Sequence, residues 1–257
     1  MSARRLASGG YCALVYLFLY LPMIVLVVYS FNRATYSLEW KGFTLAWYVS
    51  LVEDEGLLTV AVNSLTIAAL SATLATVLGT LGTIALYRYQ FFGKRLLYSL
   101  TYVLIMSPEI VMGISLLILF VSLSIPLGFG SLLLSHITFC VPFVIVTVHA
   151  RISGFDRNLV EAAKDLGASE LQTLRLVILP LLMPAIVAGW LLSFTLSMDD
   201  VIISFFVTGP GFEILPLKIY SMVRMGVKPE INALCTLMFS VTLLLVIVAQ
   251  RLQKENR

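Results

Sequence analysis

The segment from Leu159 to Pro184 reads LVEAAKDLGASELQTLRLVILPLLMP. It is charged and helix-forming, and apolar runs lie on both sides of it. Asn158 can cap a short helix, with Glu161 three residues later closing a capping box. Gly167 can end that helix in a left-handed C-cap. Ser169 can cap a second helix, with Gln172 at the matching position. Pro180 and Pro184 lack amide donors and suit the start of the next apolar helix, or a kink near it. The spacing predicts a helix, a sharp turn and another helix, with the charges outside.

Around this segment the chain is almost all apolar. Of its 257 residues 60% are hydrophobic and 12% charged, with a mean hydropathy of +0.98. A soluble domain is about half apolar and about one quarter charged, so this composition defines an integral membrane protein. Six apolar runs can each cross about 30 Å of hydrocarbon. They are Tyr11–Phe31, Thr59–Tyr87, Leu96–Val121, Leu132–Ala150, Leu181–Phe206 and Ile231–Gln250. In lipid a lone segment must satisfy its own backbone, which predicts an all-α bundle of six spans. The alternating ten-residue stretches of a β-barrel are not visible. The first run is too long for a signal-peptide core, and no small-residue cleavage site follows, so it is expected to stay as the first span. One transmembrane domain over residues 1–257 is expected, with the charged loop at about 151–180.

Six spans put both termini on one side. That side would hold 12 of the 17 Lys and Arg, among them Arg88, Lys94, Arg95, Arg151, Arg157 and Lys164; the other would hold Arg33, Lys41, Lys218, Arg224 and Lys228. Positive charge marks the cytoplasmic side, so the termini and the Leu159–Pro184 loop are expected inside. Two long loops, about Asn32–Leu58 and Val207–Glu230, then lie outside. Tyr36, Trp40 and Trp47 in the first could receive an external partner or serve interfacial packing.

The net charge of +3 carries no basic face with interleaved aromatics, so no nucleic-acid partner is expected. Cys12, Cys140 and Cys235 sit in apolar runs without ligand spacing and read as small buried hydrophobes. His136 and His149 are 13 residues apart, about 20 Å along a helix, too far to share a metal; packing or interfacial roles are expected for both. No phosphate loop, HExxH or GxSxG is present. A multi-span chain with no chemistry of its own reads as a channel, a secondary transporter or the membrane part of a machine driven by another chain.

The stretch EAAKDLGASELQTLRLVILP, Glu161–Pro180, resembles the EAA loop of ABC-importer permeases. The matching positions are Glu161, Ala162, Ala163, Gly167, Leu179 and Pro180, with Val177 where Ile is usual. From about Ser107 to Leu234, stretches such as SPEIVMGISLLILF and GWLLSFTLSMDDVIISFFVTGP are similar to permeases of the spermidine/putrescine type, the second of their two permease subunits. The resemblance implies a type I permease that pairs with a sister permease, two ATPase subunits and a periplasmic polyamine-binding protein in the bacterial inner membrane. It implies alternating access, a transport subunit rather than an enzyme, and ATP and Mg held by the ATPase partner with no cofactor in this chain. The charged loop would be the ATPase dock. Ala162 and Ala163 would let its helix sit deep in a groove. Glu161 serves a cap, a partner cation, or both.

Three carboxylates fall inside apolar runs: Glu109, Asp199 and Asp200. Such residues cost about 2.5–3.5 kcal/mol each on insertion scales. No Lys or Arg lies in either run to neutralise them. A cationic cargo is one solution; hydration at the interface or a bond to the sister chain are others. Tyr102 and Tyr220 could add ring faces for ammonium groups, although packing is the commoner use of such rings. In a regular helix Asp199 and Asp200 point about 100° apart. Asp200 shares a stripe with Gly189, Ser193, Ser197 and Ser204, small and polar throughout. Asp199 shares one with Ala188, Leu192, Thr195, Ile203 and Phe206. The expectation is that Asp200 and Glu109 face a wet path and Asp199 does less, unless the small stripe serves close helix packing. Two rivals remain: the same machine with another cargo, and an ion-coupled secondary transporter whose carboxylates carry protons.

Overall fold

The computed structural model describes residues 3–34, 39–156, 158–226 and 228–255, without the side chains of 3–8, 245, 246, 248–250 and 252–255. Tyr36 and Arg157 therefore lie outside the described residues. The architecture is all-α. Among the described residues four helices are long and apolar enough to cross a membrane: α1 (Ala3–Tyr29), α3 (Glu55–Arg88), α6 (Phe129–Ile152) and α9 (Leu179–Asp199, with the turns before it). A bent pair, α4 (Lys94–Met106) and α5 (Glu109–Ser122), at 114° to each other, is apolar enough for a fifth crossing or for a re-entrant loop. The last helix, α12 (Pro229–Glu255), has a shorter described apolar stretch, Pro229–Leu244.

The apolar run Leu96–Val121, expected as one span, is thus broken into two helices. Pro108 has no amide to give its helix, and it pushes Ser107 into extended backbone (φ −70°, ψ 136°). Hydropathy averages across that dipeptide without registering it.

The chain divides into two compact units. One comprises residues 1–59 with 218–247. It holds α1, α2 (Ala46–Glu53) and most of α12. The apolar surface of α1, Cys12 included, is open within this chain, so that cysteine is not the buried hydrophobe expected. The loop after α1 folds on itself around buried Asn32. Its side chain donates to Glu39 O (2.7 Å) and accepts from Lys41 N (2.9 Å), while its carbonyl takes the Trp47 indole N–H (2.8 Å). Trp40 packs edge-on to Tyr29. Both tryptophans therefore have partners within their own unit.

The second unit comprises residues 60–217 with 248–257. Its central element is α6, packed along α9 and against α4, α5 and the short α10 (Ile202–Val207). Cys140, Val144 and Val148 of α6 are fully buried. Two glycines let neighbours approach Val144. A Cβ on Gly79 of α3 would lie 2.7 Å from Val144 Cβ, and one on Gly189 of α9 3.5 Å from Val144 Cγ1. Ala68, Ala72 and Ala75 extend the small face of α3. Small residues at such spacing are how apolar helices gain contact where lipid removes the hydrophobic drive.

Candidate functional site

The charged loop is built mostly as its caps predict. α7 (Asn158–Asp165) ends at Gly167, φ +82°. Ala168 N donates to Ala163 O (3.0 Å) and Gly167 N to Lys164 O (2.9 Å), the two bonds of a Schellman turn. Ser169 and Gln172 form the reciprocal box: Ser169 N to Gln172 Oε1 at 2.8 Å, Gln172 N to Ser169 Oγ at 3.3 Å. The first cap differs from expectation. Asn158 is already helical, and its amide donates to Asp156 Oδ1 (3.0 Å), so a carboxylate caps α7.

The second helix also differs. α8 (Glu170–Thr173) continues through a π-turn (Leu174–Ile178) into α9, so the helix that Ser169 caps is the first turn of the spanning one. The wider turn directly before Pro180 takes up a residue whose amide is missing. Pro184 is carried inside α9.

The sequence reading missed a cross-link. Glu170 pairs with Lys164 of α7 (2.7 Å) and with Arg88 at the end of α3. Lys164 first, then Arg88, hold its carboxyl below the usual range. Both ends of the loop are thereby tied to the end of a spanning helix. Glu161 and Ala162 are exposed and Ala163 half-buried. Leu166 at 89% and Leu171 at 72% exposure form an apolar tip. Behind the loop Glu161, Lys164, Phe155 and Arg88 line a cavity of about 390 Å³.

The carboxylates sit at two interruptions. Glu109 opens α5 directly after Pro108, where a helix N-terminus favours negative charge. Asp199 ends α9, and Asp200 follows in extended backbone (φ −69°, ψ 121°). Asp200 then caps α10: its carboxylate accepts Ser204 N (2.8 Å), Ile203 N (3.2 Å) and Ser204 Oγ (2.6 Å). The two interruptions share one end of the unit. Gly113 of α5 lies against Ile203 and Phe206, and Leu127 beyond α5 meets Gly209 beyond α10. The two helices therefore run the same way, with their first turns together.

This geometry corrects the reading of Asp200. The unbroken helix through Phe206 does not exist. Asp200 is 6% exposed, and Gly189, Ser193, Ser197 and Ser204 of its stripe are buried with it. That stripe is a packing face. The Asp199 side is the open one: Ala188, Leu192 and Asp199 are exposed. Glu109 and Asp199 have no hydrogen-bond or ion-pair partner among the described residues.

The tyrosines are placed elsewhere. Tyr102 pairs with Tyr98 (Oη to Oη 3.1 Å), whose ring leans on His149 near the far end of α6. Tyr220, on α11 (Leu215–Arg224) in the other unit, already carries the Arg224 guanidinium 4.8 Å from its ring centroid.

An all-α membrane chain with interrupted spans and a rigid, cross-linked loop is the membrane-embedded part of a transporter. The sequence profile of the family described as "Binding-protein-dependent transport system inner membrane component" matches residues 75–255, and the chain belongs to that family of multi-pass inner-membrane proteins. It is 56% identical over 252 residues to the spermidine/putrescine transport system permease protein PotC of Escherichia coli K12, covering 98% of this chain and 96% of that one. It is 43% identical over 228 residues to the putrescine transport system permease protein PotI of the same organism, covering 86% and 81%. Among solved structures, a bacterial ABC transporter that imports the acidic polysaccharide alginate has the same fold. Its TM-score is 0.77 at 17% identity, over 97% of this chain and 95% of that one.

Proposed function

We propose that this chain is one permease subunit of an ATP-driven importer of polyamines, working by alternating access. The observation that carries the reading is the pair of unpartnered carboxylates, Glu109 and Asp199, where two interrupted spans meet. Half-helix ends with unsatisfied groups near the bilayer interior are where transporters of several folds hold charged cargo. A polyamine is a short string of ammonium groups, and two unpartnered acids at separate helix ends suit it. The likeness to permeases named for spermidine and putrescine supports the same cargo. An anionic cargo would meet repulsion here. A proton-coupled carrier would have no use for a loop so firmly tied.

That loop, α7 to α8, docks the ATPase subunit. Its apolar tip at Leu166 and Leu171 enters the partner's groove, and Glu161 to Gly167, with Leu179 and Pro180, form the lever. The orientation is loop and termini inward, as the Lys and Arg distribution favours. The residues of 1–257 act as one permease beside a sister permease in the membrane lipid. Two ATPase subunits bind ATP and Mg, and a polyamine-binding protein delivers cargo from outside.

The test is uptake of labelled spermidine by the assembled complex. A hydrogen bond to a charged group contributes about 1.5–3 kcal/mol, roughly 10- to 150-fold. Asp199→Asn and Glu109→Gln should each lower uptake efficiency at least about tenfold without loss of assembly. Normal uptake by both variants would overturn the polyamine path.

A further inference from the structure

We infer that His136 is a positioning residue: it holds both halves of the interrupted span and so sets where Asp199 points. The inference rests on the reading of Asp199 as a path carboxylate.

One group in the buried cluster, the Asp200 carboxylate, can only accept. The Asp200 carboxylate takes the single proton of Ser204 Oγ at 2.6 Å. Ser204 Oγ must then accept from His136 Nε2, 2.9 Å away, so that nitrogen carries the hydrogen. On the other side of the ring, Ser71 Oγ of α3 donates to Ser197 Oγ (3.1 Å). Ser197 Oγ in turn is hydrogen-bonded to His136 Nδ1 at 2.6 Å. A continuous run of hydrogen bonds thus joins Ser71, Ser197, His136, Ser204 and Asp200, and His136 Nε2 also lies 3.5 Å from Asp200 Oδ2. Ser71, His136 and Ser204 are wholly buried, so no water replaces a lost link.

The chain spans the break. Ser197 lies in the last turn of α9, Ser204 in α10, and only Asp200 and Val201 join the two helices. His136 of α6 grips both. Asp199 comes two positions after Ser197, about 200° around the helix. Anchoring Ser197 to α6 therefore turns Asp199 to the opposite face, where it is exposed. Without His136 the last turn of α9 can rotate or fray, and the acid leaves its place while remaining chemically intact.

The experiment uses the assembled complex with native cysteines replaced. A cysteine at position 199, and a control at Leu192 two turns back on the same open face, are labelled with a trimethylammonium thiol reagent, with and without spermidine. In the Asp199 background, spermidine uptake kinetics are measured in parallel. His136→Ala should slow labelling at 199 about fivefold or more, leave Leu192 unchanged, and raise KM about fivefold with Vmax within about twofold. His136→Gln, which keeps a donor toward Ser204, should recover part of both effects. If His136→Ala does not assemble, Ser197→Ala removes the bonds of α9 to His136 and Ser71 while leaving His136 bound to Ser204, and should give the same pattern. Unchanged labelling at 199 and unchanged KM in the assembled variant would overturn the inference, as would equal slowing at Leu192. Failure of spermidine to protect position 199 in the otherwise unaltered chain would overturn the path reading instead, and leaves the labelling comparison intact.

Discussion

Two glycines serve different physical ends. Gly167 stands at φ +82° with open space where a Cβ would go, so a side chain there costs backbone strain and nothing else. The left-handed region costs an L-residue about 1–2 kcal/mol, less for asparagine, which visits it routinely. Gly113 has an ordinary φ but no room. A Cβ there would lie 2.7 Å from Phe206 Cδ2 and 3.3 Å from the Ile203 backbone, which cannot yield as a flexible side chain does. Gly167→Asn should therefore keep most substrate-stimulated ATPase activity, Gly167→Val less, and Gly113→Leu should abolish uptake with assembly impaired. A harmless Gly113→Leu would mean that the α5–α10 seam opens freely. The cap residues at Gly167 and Ser169 were legible in the sequence because their signals act within four residues. Asp200 was misplaced for the opposite reason. Its stripe was drawn on a continuous helix, and no proline or glycine marks the break that its own carboxylate caps.

At the scale of elements, the loop's stiffness comes from Glu170 joining α7, α8 and the end of α3. The helices themselves were legible from capping and hydropathy. The ion pairs were not, because Arg88 lies 82 residues from Glu170 and only packing brings them together. Glu170 is exposed, so the cross-link acts as a tether more than a store of stability. Its folded-state pKa is lowered by Lys164 and Arg88. The stabilisation is therefore fully present above the unfolded carboxylate value and is lost as pH falls through the lowered folded one. A nitroxide at Asp165 should report an ordered loop at neutral pH and a loosened one only below the usual carboxylate range. In Glu170→Gln it should be loosened at every pH. High salt should mimic part of that change. A nitroxide that responds alike in both chains would show that the tether does not hold the loop.

Across the whole molecule, helix length and charge together define how the chain meets the bilayer. At about 1.5 Å per residue, the 34 residues of α3 span roughly 51 Å and the 30 of Glu170–Asp199 roughly 45 Å, against about 30 Å of hydrocarbon. Both helices must therefore project well past the lipid. α3 ends in Arg88, which binds Glu170 at the start of the other, so their shared overhang is on the loop side. On the six-span reading of the sequence the same side would hold 12 of the 17 Lys and Arg, an excess that predicts an inward orientation for it. The overhang carries α7 clear of the headgroups, where a soluble ATPase can reach it. In a chain without its own cysteines, a cysteine at Lys164 should react with an impermeant thiol reagent only in inside-out vesicles. One at Glu53, exposed at the end of α2, should react only in intact cells made permeable at the outer membrane. Labelling of Lys164 from outside would reverse the orientation and remove the loop from any contact with ATP-driven partners.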